Sequence, residues 1–304
     1  MSTPNTLYAG TMFPSAIVED MFSLVQGRSA LAKLSAQKGI PFNGTTEMVF
    51  NLDGDCSIVG EGGQKPEGKA TMEPKVIKPL KFLYQARVSD EFLYAAEEAR
   101  LSTLANFADG FAKKIARGLD IAAMHGLNPA TKTAASFAAT NSFDGLVENV
   151  VAYDASKIDE NIEDAIAKIT DEERTFSGLA LSPTAGTALS KIKVNGVVQY
   201  PEFRFGQNPN SFEGMGSDVN PTVEIKAADA DTDHVIVGDF QNAFKWGYAK
   251  NIPLEVIQYG DPDATGRDLK AYNEVCLRAE AYIGWGILDA ASFAIVNTAT
   301  GSDS

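Results

Sequence analysis

The side chains best suited to metal binding or nucleophilic chemistry are few and widely spaced. The 304 residues include two histidines, His125 and His234, and two cysteines, Cys56 and Cys276. A structural zinc site needs four such ligands and a catalytic site three, with some of them usually close together in sequence. The spacing here therefore predicts no metal site. We interpret His125, which ends a helical segment, as a cap that favours the helix dipole.

The segment GDPDATGRD (residues 260–268) is the part of the chain most like a calcium-binding loop. Asp261, Asp263 and Thr265 alternate ahead of a glycine, as the oxygen ligands of such a loop do. The acidic residue that should close the loop is missing, because residues 270–272 read KAY. We therefore predict a plain turn, in which aspartate and glycine serve backbone geometry.

Sequence motifs of the common enzyme classes are absent. The chain has neither a GxSxG nucleophile elbow nor a GxxxxGK[ST] phosphate-binding loop. Its glycine-rich stretch GEGGQKPEG (residues 60–68) does not lead from a strand into a helix, as a phosphate cradle would. Acidic pairs such as Asp159 and Glu160 lie on a solvated helix, without the burial that acid–base catalysis needs. We predict no enzyme and no catalytic, cofactor-binding or metal-binding residues.

Composition and charge narrow the class of protein. The 26 lysines and arginines are outnumbered by 40 aspartates and glutamates, which gives a formal net charge of −14. Such a protein repels nucleic-acid phosphates, which disfavours a DNA-binding enzyme and suits a container wall, although solubility alone would explain the charge. We recognise no secretory signal and no membrane-spanning apolar run, so we expect a soluble cytoplasmic protein with free thiols.

The longest predicted element is a helix over residues 89–125. Its apolar side chains recur at three- and four-residue steps, so they share one face that we expect to be buried. At about 1.5 Å per residue the helix would span roughly 55 Å. Gly110 and Gly118 weaken it and favour a bend. The expected core residues are Leu104, Phe107, Phe111 and Ile115.

Ahead of this helix, residues 45–88 are predicted to form a long two-stranded β-ribbon. The first strand alternates apolar and polar residues through Met48 and Phe50, and the return strand does so through Phe82 and Tyr84. A lone ribbon is marginally stable in water. Its apolar face must therefore be covered by the same chain or by a neighbouring subunit.

The glycine-rich tip of the ribbon carries a local excess of lysines on a strongly acidic protein. This contrast favours docking of the tip on the acidic surface of another copy. Solvated lysines that discourage aggregation are the alternative, and the residues alone do not choose between the two. The residues expected to reach a neighbour are Gly60, Gly62, Gly63, Lys65, Lys69, Phe82 and Tyr84.

The rest of the chain alternates short helices and strands, so the predicted fold class is α+β. Helices are predicted over residues 158–169 and after Ser182, with Pro183 at the first helical position. Residues 195–221, rich in Gly, Asn and Pro, are predicted to be an exposed loop. The predicted strands and closing segments are residues 178–181, 223–225, 234–237, 243–248, 254–259, 272–283 and 286–296.

In this order, several segments resemble the tailed-bacteriophage major capsid proteins of the Hong Kong 97-type fold. The resemblance runs from about residue 45 to residue 297 and lies in the ordered set rather than in one motif. The segments are GEGGQKPEGKATMEPKVIKPLKFLYQARVSDEFL (60–93), ADGFAKKIARGLDIAAMHGLNP (108–129), GLALSPTAGTALSKIKVNGVVQYPEF (178–203), VIVGDFQNAFKWGY (235–248) and GDPDATGRDLKAYNEVCLRAEAYIGWGILDAASFAIV (260–296).

The resemblance implies a layout and an assembly. Copies would form hexamers and pentamers that tile an icosahedral shell around phage double-stranded DNA, with the extended β-hairpin loop lying on a neighbouring subunit. The long helix would be the spine helix of the peripheral domain. The implied parts are an N-terminal arm (1–44), the extended loop (45–88), a peripheral domain (89–144 and 251–304) and an axial domain (145–250).

The same resemblance implies the partners. We expect a portal protein, and the resemblance leaves room for a decoration protein. Because no long charged helices precede residue 45, we expect a separate scaffolding protein, or none, rather than a scaffolding region within the chain. Packaged DNA would be met only through weak non-specific contacts, and no membrane is expected. Assembly would take place in the host cytoplasm, and the mature protein would reside in the virion.

Other readings stay open on sequence alone. An encapsulin-type nanocompartment or the shell of a gene-transfer particle would keep the fold and change the contents. A soluble enzyme with an unrecognised site is a further alternative, although no cluster of titratable residues indicates one. Some relatives crosslink a loop lysine to an asparagine. Lys65 and Lys69 lie near the tip, but the sequence identifies neither the asparagine nor an assisting glutamate.

Overall fold

The computed structural model describes residues 25, 28–53, 56–95, 97–250 and 254–298. Its helices are α1 (Ala30–Leu34), α2 (Glu91–Tyr94), α3 (Glu97–His125), α4 (Ser136–Ala139), α5 (Phe143–Leu146), α6 (Ile158–Asp171) and α7 (Pro183–Leu189). Its strands are β1 (Thr45–Asp53), β2 (Lys69–Ile77), β3 (Leu80–Ser89), β4 (Val150–Ala152), β5 (Gly178–Leu181), β6 (Lys193–Val194), β7 (Val197–Val198), β8 (Ser211–Phe212), β9 (Met215–Val219), β10 (Asp233–Gly238), β11 (Phe244–Lys250), β12 (Leu254–Ile257), β13 (Glu274–Ile287) and β14 (Phe293–Asn297).

Two sheets organise these elements. The larger has six strands in the order β4–β14–β10–β5–β9–β8, in which β4 runs parallel to β14 and β9 parallel to β5. The smaller is built on β13, with β11 and β12 in tandem along one edge and β3 along the other. The 14 residues of β13 allow this arrangement because a strand of that length has room for two partners end to end.

The main hydrophobic core joins α3 to both sheets. Phe111 and Leu119 of α3 are buried in the same cluster as Ile236 of the large sheet and Trp285 of the small one. A second cluster joins α6 and α7 to alternate residues of the large sheet, such as Val235. Every residue of β5 and β10 is buried, because apolar groups cover both faces of these strands.

The long helix is shorter than predicted and begins later. Ala95 adopts an extended conformation, with φ −62° and ψ 154°, which ends α2 after one turn and separates it from α3. From Glu97 the helix continues through Gly110 and Gly118 to His125 as one element. The predicted cap at the start of α7 is confirmed, since Ser182 Oγ accepts a hydrogen bond from the Ala185 amide at 3.0 Å.

The predicted return strand of the ribbon is wrong. β1 pairs with β2, whereas β3, which contains the predicted return strand, pairs with β13 of the small sheet. Pro74 lies within β2, although a proline cannot donate a ladder hydrogen bond. In the described structure β2 has only β1 as a partner, so half of its amide groups face away from the ladder and a proline is accommodated.

Three further predictions need correction. Within residues 195–221, β9 runs parallel to β5 inside the large sheet, so this stretch is not simply an exposed loop. The predicted strand 223–225 is a pair of turns, closed by hydrogen bonds from Val223 to Asn220 and from Ile225 to Thr222. The predicted closing segments 272–283 and 286–296 have the wrong boundary between them, because β13 runs without a break through Gly284 and Gly286.

The strands of each sheet do not group as the expected parts of the subunit do. Those parts were divided after residue 88, where the extended loop was to end, and after residue 250, where the axial domain was to end. β3 belongs to the small sheet and not to the ribbon, and β11 belongs to the small sheet although it lies within residues 145–250. β14, expected with the peripheral segments, lies next to β10 in the large sheet. The chain therefore crosses between the sheets more often than a division into continuous segments allows.

Candidate inter-subunit surface

One face of the β1–β2 ribbon is apolar and uncovered. In the antiparallel register Met48 lies opposite Pro74 and Phe50 lies opposite Met72, so the four side chains share one face. Val76 extends the row toward the base. Phe50 is 63% exposed and Val76 is 55% exposed, fractions unusual for large apolar side chains on an ordered element. The row is the largest set of exposed apolar side chains on any described β-element.

The opposite face of the ribbon is charged. Glu73 and Lys75 lie side by side on it, with a 3.1 Å ion pair between them. Near the base, Glu47 faces the body of the subunit and accepts a hydrogen bond from Lys245 Nζ at 2.5 Å. This face therefore carries charged groups beside Val49, and at the base, where Ile77 belongs to the same face, it turns toward the body of the subunit.

Among the described residues, the ribbon is packed on the body at its base. Ile77 is fully buried and lies against Gly284 and Gly286 of β13, where an added Cβ on Gly286 would come within 2.7 Å of Ile77 Cγ1. The ring of Phe42 meets the ring of Tyr282 edge-on, with centroids 5.1 Å apart. Beyond this point the described ribbon residues from 69 to 74 are exposed.

The tip residues named from the sequence are all exposed. None of them is buried by the described parts of the subunit. They are Gly60, Gly62, Gly63, Lys65 and Lys69. The tip is closed by a turn, in which the Gly63 amide donates to the Gly60 carbonyl at 3.0 Å. Gly62 has a φ of +78°, a conformation that favours glycine. Contact of this tip with a neighbour stays a prediction.

Phe82 and Tyr84 do not belong to the ribbon face, as they were expected to. Both lie on β3 and point toward the long helix of their own subunit. Phe82 is partly buried beside Gly118, with its ring centroid 6.4 Å from that of Trp285. Tyr84 is 41% exposed and lies 6.4 Å from Phe107 between ring centroids. With Phe111 and Ile115 they line a groove of about 730 Å³ between β3 and α3.

The four helix residues expected in the core lie along α3. Leu104, Phe111 and Ile115 are buried, and Phe107 is partly buried against the same cluster. Their three- and four-residue spacing places them on the face that meets both sheets.

The segment 260–268 is a turn organised by an arginine. The Arg87 guanidinium lies among Asp261, Asp263 and Glu274, and its Nη1 donates to Glu274 at 2.9 Å. These hydrogen bonds lower the pKa of Asp263 and raise that of Arg87. The alternating aspartates that resembled a calcium loop therefore bind a cation supplied by the chain itself.

A buried carboxylate connects α3 to α1. Asp120 of α3 accepts hydrogen bonds from Ser29 Oγ at 2.5 Å, from the Ala30 amide at 3.0 Å and from Thr222 Oγ1 at 3.0 Å. Burial raises the pKa of Asp120 to about 6, against the lowering effect of these donors. No sequence motif pointed to this residue, because its partners lie about 90 to 100 residues away in the chain.

Comparison with known proteins bears on this fold and surface. A model of the phage capsid family matches residues 9–298. The chain belongs to the phage capsid family. None of the curated proteins matches the chain.

Solved structures agree with the family assignment. A chain from Mycobacterium phage Ogopogo is 31% identical, with a TM-score of 0.75 over 89% of this chain and 92% of that one. A chain from Gordonia phage Cozz, 24% identical, has a TM-score of 0.71 over 92% and 87%. A chain described as the capsid of a native GTA particle shares the fold alone, at 12% identity and a TM-score of 0.59 over 99% and 95%.

These matches decide the protein's class. The fold is the Hong Kong 97-type capsid fold, and the protein is a bacteriophage major capsid protein. It is a structural component of the virion, in which copies of the chain build the icosahedral shell. Among the described residues, no helix combines the length and the apolarity needed to cross a bilayer.

Proposed function

We propose that the β1–β2 ribbon is the extended loop of this capsid protein and binds a neighbouring subunit through its apolar face. The observation that carries the proposal is the row of exposed apolar side chains at Met48, Phe50, Met72 and Val76. A contiguous apolar face on a soluble subunit marks an interaction site. Subunit interfaces in obligate assemblies bury such faces, commonly over about 2,000 Å² or more.

The proposed contact joins subunits into hexamers and pentamers. The tip residues Gly60, Gly62, Gly63, Lys65 and Lys69 would reach the acidic surface of the neighbour, which the net charge of −14 supports. The charged face with Glu73 and Lys75 would remain in water.

The sheets suggest how the subunit is divided. The small sheet and α3 would form the peripheral domain, with α3 as the spine helix. The large sheet with α6 and α7 would form the axial domain, and β14 would belong to it. Residues 1–44 would form the N-terminal arm.

Other components would complete the particle. We expect a portal protein, a separate scaffolding protein and a decoration protein, with assembly in the host cytoplasm. The acidic chain supports a wall that meets packaged double-stranded DNA only through weak non-specific contacts.

The ribbon contact is tested by a pair of adjacent substitutions in β2. Met72→Asp places a charge on the apolar face, and Thr71→Asp places the same charge on the opposite, exposed face. A charge buried without a partner costs several kcal/mol, so closed shells of the Met72 variant should fall by more than about tenfold. The yield of closed shells is measured by electron microscopy and size-exclusion chromatography.

Both variants should have the melting temperature of the wild-type subunit, since both positions are exposed in it. The Thr71 variant should assemble normally. Normal shells from Met72→Asp would contradict the proposed role of the apolar face.

A further inference from the structure

Three potential metal ligands from distant parts of the sequence meet at the end of α3. His125 Nδ1 lies 3.0 Å from Asp144 Oδ2 and 3.5 Å from Asp233 Oδ2. One ligand atom from each residue lies within 4.8 Å of the other two. His125 and Asp233 are buried, whereas the Asp144 side chain is 38% exposed and connects the cluster to solvent.

The hydrogen bond on the other side of the imidazole fixes its tautomer. His125 Nε2 lies 3.0 Å from the Thr222 carbonyl oxygen, which can only accept, so Nε2 carries a hydrogen. In the tautomer with hydrogen on Nε2, the lone pair of Nδ1 faces the carboxylates of Asp144 and Asp233. Among the described residues, no lysine or arginine forms an ion pair with Asp144 or Asp233. In this tautomer the three ligand atoms face one another as acceptors, an arrangement that suits a cation between them.

Asp233 is the least satisfied member of the cluster. Its Oδ2 atom is buried and has no hydrogen-bond partner among the described residues. This buried oxygen lies 3.5 Å from His125 Nδ1, so a cation held between the two atoms would give it a partner.

We propose that His125, Asp144 and Asp233 bind a divalent transition-metal ion such as Zn²⁺. Ligands about 2.0–2.2 Å from zinc in tetrahedral geometry lie about 3.3–3.5 Å apart, close to the separations of 3.0 and 3.5 Å found here. An imidazole ligand favours zinc or a similar metal over calcium or magnesium. The hydrogen bond from Nε2 to a backbone carbonyl is the usual outer contact of a metal-bound histidine. A water reaching the site past Asp144 would be the fourth ligand.

The ion would have a structural role. It would tie the last residue of α3 to α5 and to the first residue of β10, where the long helix meets the large sheet. Sequence spacing could not reveal it, because the argument from histidines and cysteines did not include carboxylates brought in by other elements.

The test measures zinc binding by the full-length subunit at neutral pH. The chain is stripped with a chelator and dialysed against ZnCl₂, and bound zinc is measured by elemental analysis. We expect about one zinc per wild-type chain and a melting temperature that rises with zinc concentration. Asp233→Asn and Asp144→Asn, which keep the side-chain shape, should each weaken binding by more than about tenfold.

Asp231→Asn is the matched control, because Asp231 also lies near Asp233 but is exposed and is not one of the three ligands. It should bind zinc as the wild type does. No zinc on the wild-type chain would overturn the proposal and indicate that a proton occupies the cluster. An equal loss in the Asp231 variant would also overturn it, and an equal stabilisation by CaCl₂ would overturn the choice of metal class.

Discussion

Among single residues, Asp120 has the most demanding environment. It is buried within α3, yet it stays hydrogen-bonded to the first amides of α1 and to Thr222. An acceptor at a helix start satisfies amides that have no partner within the helix. Asp120 therefore attaches the chain entering the fold to the long helix, at the cost of burying a carboxylate.

This environment predicts a pH dependence of stability. The pKa of Asp120 is raised to about 6 in the folded state, above the 3.8 of an unperturbed aspartate, so the folded state holds this proton more tightly. The stabilisation of the folded state by this proton is fully present below about pH 4 and is lost as the pH rises through about 6. The free energy of unfolding should fall by about 3 kcal/mol across this window on account of Asp120.

Asp120→Asn removes the titration while keeping one acceptor oxygen. Chemical denaturation of the variant between pH 4 and pH 7 should therefore show a shallower pH dependence than the wild type. Asp164→Asn on the exposed face of α6 is the control and should keep the wild-type profile. An unchanged slope in the Asp120 variant would contradict the assignment.

At the same scale, the sequence predicted apolar positions better than polar ones. Leu104, Phe111 and Ile115 could be placed in a core because a 3.6-residue period records burial directly. The partners of Asp120 and His125 could not be predicted, since no periodicity connects residues about 100 positions apart. Phe82 was assigned to the wrong surface for a related reason. Alternation shows that a strand has an apolar face, but not what covers it.

Among the elements, α3 contributes buried residues to the main core from Leu104 to Met124. Its two glycines are conformationally costly in a helix, and their surroundings differ. An added Cβ at Gly110 would meet nothing within 4 Å, whereas one at Gly118 would lie 3.2 Å from the Phe82 ring. Packing therefore restricts substitution at Gly118 and does not restrict it at Gly110.

Gly110→Ala should stabilise the subunit. Alanine favours the helix over glycine by about 1 kcal/mol, so the melting temperature should rise by roughly 1–2 °C in calorimetry. Gly118→Ala serves as the comparison and should gain less or lose stability, because the Phe82 ring must move. Equal gains at both positions would show that the contact with Phe82 is not restrictive.

The ribbon shows what an element pattern can and cannot predict. Its existence and its glycine-rich tip could be predicted, because β1 alternates apolar and polar residues apart from Val49, and the tip is full of turn residues. Its partner strand could not, since β2 and β3 both follow the tip and are separated by only two residues. The pairing was decided by tertiary contacts. β3 fits between β13 and α3, and β2 has no described partner other than β1.

At the scale of the whole molecule, the folding stability of the subunit body depends little on the distal ribbon. Both hydrophobic clusters lie in the body, and the only described ribbon side chain that is fully buried is Ile77 at the base. The interface between subunits could not be derived from one chain, because its other half belongs to a second copy. The resemblance to capsid proteins supplied that information.

This separation predicts the result of removing the distal ribbon. A chain lacking residues 60–72 should fold with nearly the wild-type melting temperature, because few contacts with the body are lost. It should fail to form closed shells when examined by electron microscopy. A large drop in melting temperature would contradict the separation, and normal shells would contradict the role of the ribbon.

The base of the ribbon has a consequence for shell geometry. Ile77 packs closely on Gly284 and Gly286, where an added Cβ on Gly286 would lie 2.7 Å from Ile77 Cγ1, so the base of the ribbon is fixed on the body. The described residues from 69 to 74 are exposed, and a bend of the two strands there would break no packing against the body. We therefore expect one sequence to set its distal arm at different angles and to occupy positions of unequal curvature in a closed surface, which is the condition for quasi-equivalence.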